Sequence, residues 1–319
     1  MKAIRSIDGA PQVVDVPAPS GEGVRVKIHS SGICGSDLHM LDLGIFNPEI
    51  TMGHEFAGYL DDGTPVAVEP VAFCGACVQC TSGDYNLCHK AVVDVLGFGQ
   101  DGGMAEEAMI SPHQIVHLPM AASVEDACLI EPLAVCVRAL RLAGFGGNQR
   151  VAIIGGGNIG QCATAVVRHF GAPVVVLARH EAQRQAAQRL GAETPDDPAE
   201  IPASSFDIVV DAAGTTSALQ DAARLAAPSG AISLVSTYWE GMEVPSYEVF
   251  TKEIRLIPSI MYGRHAGGRD AESAAAILAG NPEIPRAIIT HRFPIDGAPE
   301  AFAIARDRAA GAIKVVLTP

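Results

Sequence analysis

The chain has no run of about 18 apolar residues, so nothing in it reads as a membrane-spanning helix. Its first residues, MKAIRSIDGA, lack an apolar core with a small-residue cleavage site, which gives the expectation of a cytoplasmic protein. Basic residues are scarce: 22 Lys and Arg stand against 36 Asp and Glu, a net charge of -14, and no basic stripe is present to neutralise phosphates along a nucleic acid. Aromatics make up 5% with a single Trp, too few for a base-stacking platform. Nucleic acid and membrane are therefore excluded as expected partners, and a small molecule is left. What is present is 319 residues at 48% hydrophobic and 18% charged, a composition for a soluble globular chain of two domains.

Eight cysteines without a secretory signal read as ligands or reduced thiols and not as disulfides. Up to about residue 120, short β-rich runs (VRVKIHS, TPVAVEP, AVVDVLGFG) alternate with Gly, Pro and Cys clusters. After Pro119 the segment SVEDACLIEPLAVCVRAL has apolar residues at helical spacing, with Ser123 as a candidate cap, and predicts bridging helices. From Arg150 the order becomes strand, Gly turn, helix, repeated, with strands that are continuous Val/Ile/Leu runs. Such strands belong in a parallel sheet covered on both faces, so the fold class is α/β with a doubly wound domain. The expected division is 1–122 with 262–319 as the β-rich domain, and 123–261 as the parallel-sheet domain.

Gly155, Gly157 and Gly160 form GxGxxG between the apolar run VAIIG and a helical pattern, the context in which the motif binds a dinucleotide. The pyrophosphate would sit on the helix N-terminus at Asn158 and Ile159. A merely structural glycine turn is the alternative. About 20 residues on, an Asp or Glu would accept from a free ribose 2′-hydroxyl. The second strand instead ends Leu177-Ala178-Arg179-His180, with Arg184 one helical turn away, so NADP(H) is expected over NAD(H). The alternative is that both arginines are solvated surface charges.

Cys74, Cys77, Cys80 and Cys88 lie as CxxCxxCx7C, enough thiolates to close a tetrahedron around a structural zinc. An iron–sulfur cluster is the alternative, weakened by the spacing to the fourth Cys and the absence of a following Pro. Cys34, His54 and Glu55 offer a mixed set suited to a catalytic zinc with one open position. His54 and Glu55 are sequence neighbours, which point to opposite faces of an extended strand, so they share an ion only if Gly53 makes a local turn. Glu131, in IEPLAV, is the competing carboxylate. Cys128, Cys136 and Cys162 sit among apolar residues and read as core thiols.

On GICGSDLH, GHEFAG, the four-Cys lobe, DGGMAEEAMI, EPLAV, GGGNIG, THRFPI and IKVVL, in that order, the sequence resembles the zinc-dependent medium-chain dehydrogenase/reductase family over essentially its whole length. The resemblance implies a GroES-like β domain formed by both chain ends, a Rossmann domain between them, two zinc ions per chain, and interconversion of an alcohol and a carbonyl by hydride transfer. It implies Cys34 and His54 as catalytic-zinc ligands. Glu55 matches the GHE glutamate that binds zinc in the polyol and threonine dehydrogenase branch, and Glu131 the EP glutamate that approaches the ion or holds its water. It further implies Ser36 as the acceptor of the substrate hydroxyl proton, His39 as its relay toward solvent, Asp37 as the carboxylate orienting His54, and a homodimer or homotetramer.

Two departures stand out. The stretches between His39 and Gly53 and between Gly58 and Val66 are shorter than usual, and Met261 stands where sorbitol-type members carry an Arg that contacts substrate hydroxyls. A pocket for an apolar or cyclic secondary alcohol is the expectation from these, with Phe46, Phe98 and Tyr262 as candidate walls or core residues. Lys314 reads either as a cofactor-phosphate ligand or as a solvated lysine. The rival readings are an NAD-dependent polyol or sugar dehydrogenase and a non-catalytic zinc-binding or thiol-sensing protein.

Overall fold

The computed structural model describes every residue except Glu240, and the side chains of all but Val92, Glu240 and Arg308. The chain first lays down β1 (Lys2–Ile7), β2 (Ala10–Asp15), β3 (Val24–Ile33), β4 (Glu55–Leu60), β5 (Pro65–Val68), β6 (Glu107–Ile110) and β7 (Ile115–His117). A second unit follows with β8 (Val151–Ile154), β9 (Val174–Leu177), β10 (Phe206–Asp211), β11 (Ala226–Leu234) and β12 (Arg255–Pro258). The chain then returns through the short hairpin β13 (Arg264–His265) and β14 (Gly268–Arg269), and ends with β15 (Ile289–Pro294) and β16 (Lys314–Thr318).

The first unit comprises residues 1–131, 262–285 and 289–319. Its seven-stranded sheet runs β15-β16-β3-β4-β5-β7, and β6 also pairs with β3. The ten-residue β3 organises it: β4 pairs along one edge, while the other edge is shared by β6 at Val24–Lys27 and β16 at Ser31–Ile33. Both chain ends thus enter one sheet. Ile4, Leu41, Phe46, Met52, Met104, Phe302 and Leu317 fill one core of this unit.

The second unit comprises 132–261 and 286–288. Residues 123–131, expected with the parallel sheet, group instead with the first unit. The reason is local: Ser30 Oγ donates to the Val124 carbonyl at 2.7 Å, and Arg292 bonds the Glu125 carbonyl and Asp126, which ties the segment to β3 and β15. The five strands are all parallel in the order β12-β11-β10-β8-β9. All four residues of β8 are buried, as a strand covered on both faces requires. The strand that would extend the sheet beyond β9 is reduced to one bridge, Val175 to Glu193. The order reverses between β8 and β10, and the carboxyl ends of those strands are the switch point where such sheets bind ligands.

Candidate active site and metal centres

Register places the first site. Gly32 near the end of β3 pairs with Glu55 at the start of β4, so Cys34, two residues past Gly32, and His54, one before Glu55, emerge at the same end of the sheet. Gly53 takes φ +96 in contact with Met104, supplying the turn that the sequence demands if His54 and Glu55 are to converge. They do converge: the ligand atoms of Cys34, His54 and Glu55 all lie within 4.8 Å of one another.

Cys34 caps the helix Gly35–Leu43, which carries Ser36, Asp37 and His39. Asp37 is fully buried; its Oδ2 accepts from the Cys34 amide at 2.9 Å, and its Oδ1 lies 3.4 Å from His54 Nδ1. That pairing orients the ring and leaves Nε2, 3.5 Å from Ser36 Oγ, for a ligand. Burial opposes a charge on His54, but Asp37 and Cys34 outweigh it and hold the imidazole well above its ordinary value. His39 is exposed, one turn along the helix from Ser36. Glu131 lies outside the converging set but within electrostatic reach of His54 and Glu55; burial pushes its carboxyl up to about 7.

The donor chemistry fits a metal ion. Glu55 is fully buried, its Oε2 is held by Lys314 Nζ at 2.5 Å, and its Oε1 has no hydrogen-bond partner. A buried carboxylate oxygen without a partner costs desolvation that an ion would offset, and thiolate, imidazole and carboxylate together suit zinc. Lys314 corrects the sequence expectation on both counts. It is neither solvated nor free for a phosphate, but 1% exposed and bonded to Glu55 and the Ile33 carbonyl. Sequence reasoning also missed Gly32, where a Cβ would lie 2.2 Å from Glu55 Oε2. Phe98 stacks on Phe46 with centroids 5.7 Å apart and lies 4.8 Å from the His54 ring, so this aromatic pair borders the site. Tyr262 is completely buried.

The four-Cys lobe is separate. Sγ atoms of Cys74, Cys77, Cys80 and Cys88 lie within 4.8 Å of one another, with Cys77 to Cys80 at 3.4 Å and Cys74 to Cys80 at 3.9 Å. Four thiolates around one zinc at about 2.3 Å stand about 3.8 Å apart, whereas a multi-iron cluster spreads its cysteines farther, so the spacing fits a single ion. Backbone N–H groups of Ala76 and Cys77 bring Cys74 down to about 6, while burial and Cys77 push Cys80 up to about 12. Cys88→Ala is expected to release one metal ion and to make residues 74–88 the first site of protease cleavage; retention of both ions by that variant would contradict the assignment. Cys128, Cys136 and Cys162 are buried core thiols.

In the second unit, Gly155 takes φ +103 after β8, and a Cβ on Gly160 would lie 1.8 Å from the Gly155 carbonyl oxygen, so the helix Asn158–His169 meets the strand only through glycine. Gly157 caps that helix with no side-chain hydrogen bond and faces open space. Uncapped amides beside open space fit an anion such as a pyrophosphate. Gly156, which the sequence motif does not single out, is also required, since its Cβ would meet Ala178 at 2.5 Å. Arg179 is exposed after β9. Arg184, expected beside it as a phosphate ligand, is turned instead to Glu181 at 2.5 Å and to the carbonyls of Ala178 and Arg179. At the switch point, fully buried Asp211 accepts from the amides of Ala213 and Gly214 and from the Tyr238 hydroxyl, a clamp the sequence did not announce.

Residues 20–120 match the family pattern described as alcohol dehydrogenase GroES-like domain, and residues 158–277 match zinc-binding dehydrogenase. Galactitol 1-phosphate 5-dehydrogenase of Escherichia coli K12 is 32% identical, over 99% of this chain and 99% of its own length. The chain belongs to the zinc-dependent medium-chain dehydrogenase/reductase family. As a member of that family it is an oxidoreductase. A zinc-binding dehydrogenase from Sinorhizobium meliloti 1021, solved with NADP, superposes at TM-score 0.85 with 28% identity, covering 100% of this chain and 99% of that one. The RspB alcohol dehydrogenase of Escherichia coli CFT073, solved with NADH, superposes at 0.84 with 27% identity, covering 100% and 99%. No helix among the described residues is long and apolar enough to cross a membrane.

Proposed function

We propose that the protein interconverts a secondary alcohol and its ketone with NADP(H), using one zinc ion at Cys34, His54 and Glu55 and a second at the four-Cys lobe. The observation that carries this reading is the convergence of those three side chains around a partnerless Glu55 Oε1. Zinc held by Cys34, His54 and Glu55 would supply a Lewis acid for the substrate oxygen, and a nucleotide on the Gly155–Gly160 turn would supply the hydride acceptor. Ser36 Oγ takes the proton of the substrate hydroxyl while giving its own toward His39, which is exposed and returns it to solvent. Asp37 keeps the His54 ring turned so that Nε2 serves the ion. Glu131 serves the same site as a second carboxylate that holds the group in the open position. The experiment is the initial rate of NADP+ reduction with polyols and sugars set beside apolar acyclic and cyclic secondary alcohols. Preference for the apolar set supports the Phe46–Phe98 wall and Met261 as determinants; preference for polyols, in line with the name of the 32% identical relative, sinks that part.

The preference for NADP(H) rests on Arg179, exposed where a ribose-binding carboxylate would stand; its guanidinium makes no hydrogen bond or ion pair among the described residues. Arg184 supports the reading indirectly, because it neutralises Glu181, the carboxylate nearest in sequence to that position. Arg179→Asp should lower kcat/KM for NADP+ relative to NAD+ by about 10–100-fold, the size of a charge-assisted hydrogen bond lost and a repulsion gained. A wild type that already prefers NAD+ would overturn this part. The chain works as a homodimer or homotetramer in this reading, supported by the exposed Met242, Val244, Tyr247 and Phe250 within one short segment of the second unit.

A further inference from the structure

A buried polar side chain needs partners, and Gln161 has them at one end only. It is 0% exposed in the helix Asn158–His169, where Gly160 to Val167 are all buried. Its Nε2 donates to the Gly156 carbonyl and to the Gln183 carbonyl, each at 2.9 Å, while its Oε1 has no hydrogen-bond partner. Both partners are carbonyl oxygens, so the amide nitrogen must face them and the amide oxygen is left over. Packing alone would be served by Met or Leu, which fill similar space without burying an unsatisfied acceptor.

The two bonds join the turn after β8 to the helix Glu181–Arg189, which follows β9. Turn and helix are in direct contact there: a Cβ on Gly156 would lie 2.5 Å from that of Ala178 and 2.8 Å from that of Gln183. The amide of Gln161 therefore fixes the Gly156 carbonyl against a neighbour that cannot give way.

The bond to Gly156 has a consequence one residue on. The Gly156–Gly157 peptide is trans, as are all those among the described residues, so its carbonyl and its N–H point in opposite directions. With the Gly156 carbonyl turned inward to a fully buried amide, the Gly157 N–H is turned outward, and Gly157 borders open space. That N–H donates to no described residue. A buried side chain with no contact to any ligand thus sets the direction of an amide that is free to meet an anion.

We propose that Gln161 is the positioning residue for the pyrophosphate of the nucleotide: it holds the Gly156–Gly157 peptide so that the Gly157 N–H is aimed at the anion. The inference rests on the reading that the Gly155–Gly160 turn binds a dinucleotide.

The test compares wild type, Gln161→Met, Gln161→Asn and, as a packing control in the same helix, Val166→Ala, at a residue that is 2% exposed. Affinity for NADP+ and for NAD+ is measured by calorimetry, beside thermal melting without nucleotide and steady-state kinetics. Gln161→Met keeps the length of the side chain and loses both donors. It is expected to weaken both nucleotides by the same factor, about tenfold, because they share the pyrophosphate, and to raise the nucleotide KM without lowering kcat. Gln161→Asn withdraws the amide by one methylene and is expected to act in the same direction by less; should Gln161→Met not fold, this variant decides by the same reading. Val166→Ala is expected to lower the melting point and leave both affinities as they are. Unchanged affinity in the Gln161 variants, a loss confined to NADP+, or an equal loss in Val166→Ala would each overturn the proposal. If wild type binds neither nucleotide, the functional reading falls and this inference with it; if wild type binds and the Gln161 variants bind alike, only the role of Gln161 falls.

Discussion

Cys34→Ala is expected to lower kcat by at least about 10³-fold and to leave one zinc ion per chain against the two expected in wild type. The size follows from the chemistry: a Lewis acid at the substrate oxygen supplies several kcal/mol of transition-state stabilisation, and each 1.4 kcal/mol is tenfold in rate. The locality follows from the structure. Cys34 is partly exposed at the start of its helix, and the Asp37 Oδ2 bond to the Cys34 amide uses backbone, which alanine retains. The fold and the four-Cys ion should therefore survive. Metal content by mass spectrometry, read beside kcat, decides between an enzyme and a non-catalytic zinc protein: two ions retained, or activity within tenfold of wild type, would remove Cys34 from the site.

Much of the candidate site is legible in the sequence because its parts are set by local rules. The CxxCxxCx7C spacing brings four thiols to within 4.8 Å by short turns alone, and the strand–glycine–helix context predicts both the φ of Gly155 and the contact that requires Gly160. The Gly53 turn is legible too, as a steric condition for His54 and Glu55 to meet. What escaped depends on tertiary register. Lys314 lies 259 residues from Glu55, and only the pairing of Val315 with Ile33 beside β4 puts that ammonium against that carboxylate. No local pattern distinguishes it from a surface lysine. The capture of Arg184 by Glu181 is an i,i+3 helix pair that the sequence did contain, and it was outweighed by the expectation of a phosphate. The placement of residues 123–131 failed because helical spacing says where a helix forms, not which core receives it.

Arg269→Met is expected to destabilise the first unit by about 3–5 kcal/mol, because it strips the partner from a buried charge. Arg269 Nη1 lies 3.2 Å from Oε2 of Glu69, which is 1% exposed, and the guanidinium also satisfies the His113 and Ile115 carbonyls at 3.1 and 2.7 Å. Tyr85, from within the four-Cys lobe, donates to the other Glu69 oxygen at 2.9 Å, so the pair ties the lobe, β5 and the returning chain together. The sign with pH follows from Glu69. Burial pushes its carboxyl up to about 7, against the pull of Arg269 and Tyr85, from an ordinary value near 4.5 in the unfolded chain. The folded state then binds more protons than the unfolded one between those values, so this group's contribution is fully present below about pH 4.5 and is lost as the pH rises through about 7. Removing Arg269 raises the folded value further and extends that loss to higher pH, so the cost of Arg269→Met should be larger at pH 8 than at pH 5.5. Urea midpoints at the two pH values measure it, and adding Glu69→Gln should abolish the difference, since no carboxyl is left to titrate. Equal costs at both pH values would show that Arg269 acts through the two carbonyls and its Nε bond to Glu272 at 3.0 Å and not through Glu69, and a cost below about 1 kcal/mol would mean that water reaches Glu69 once the guanidinium is gone.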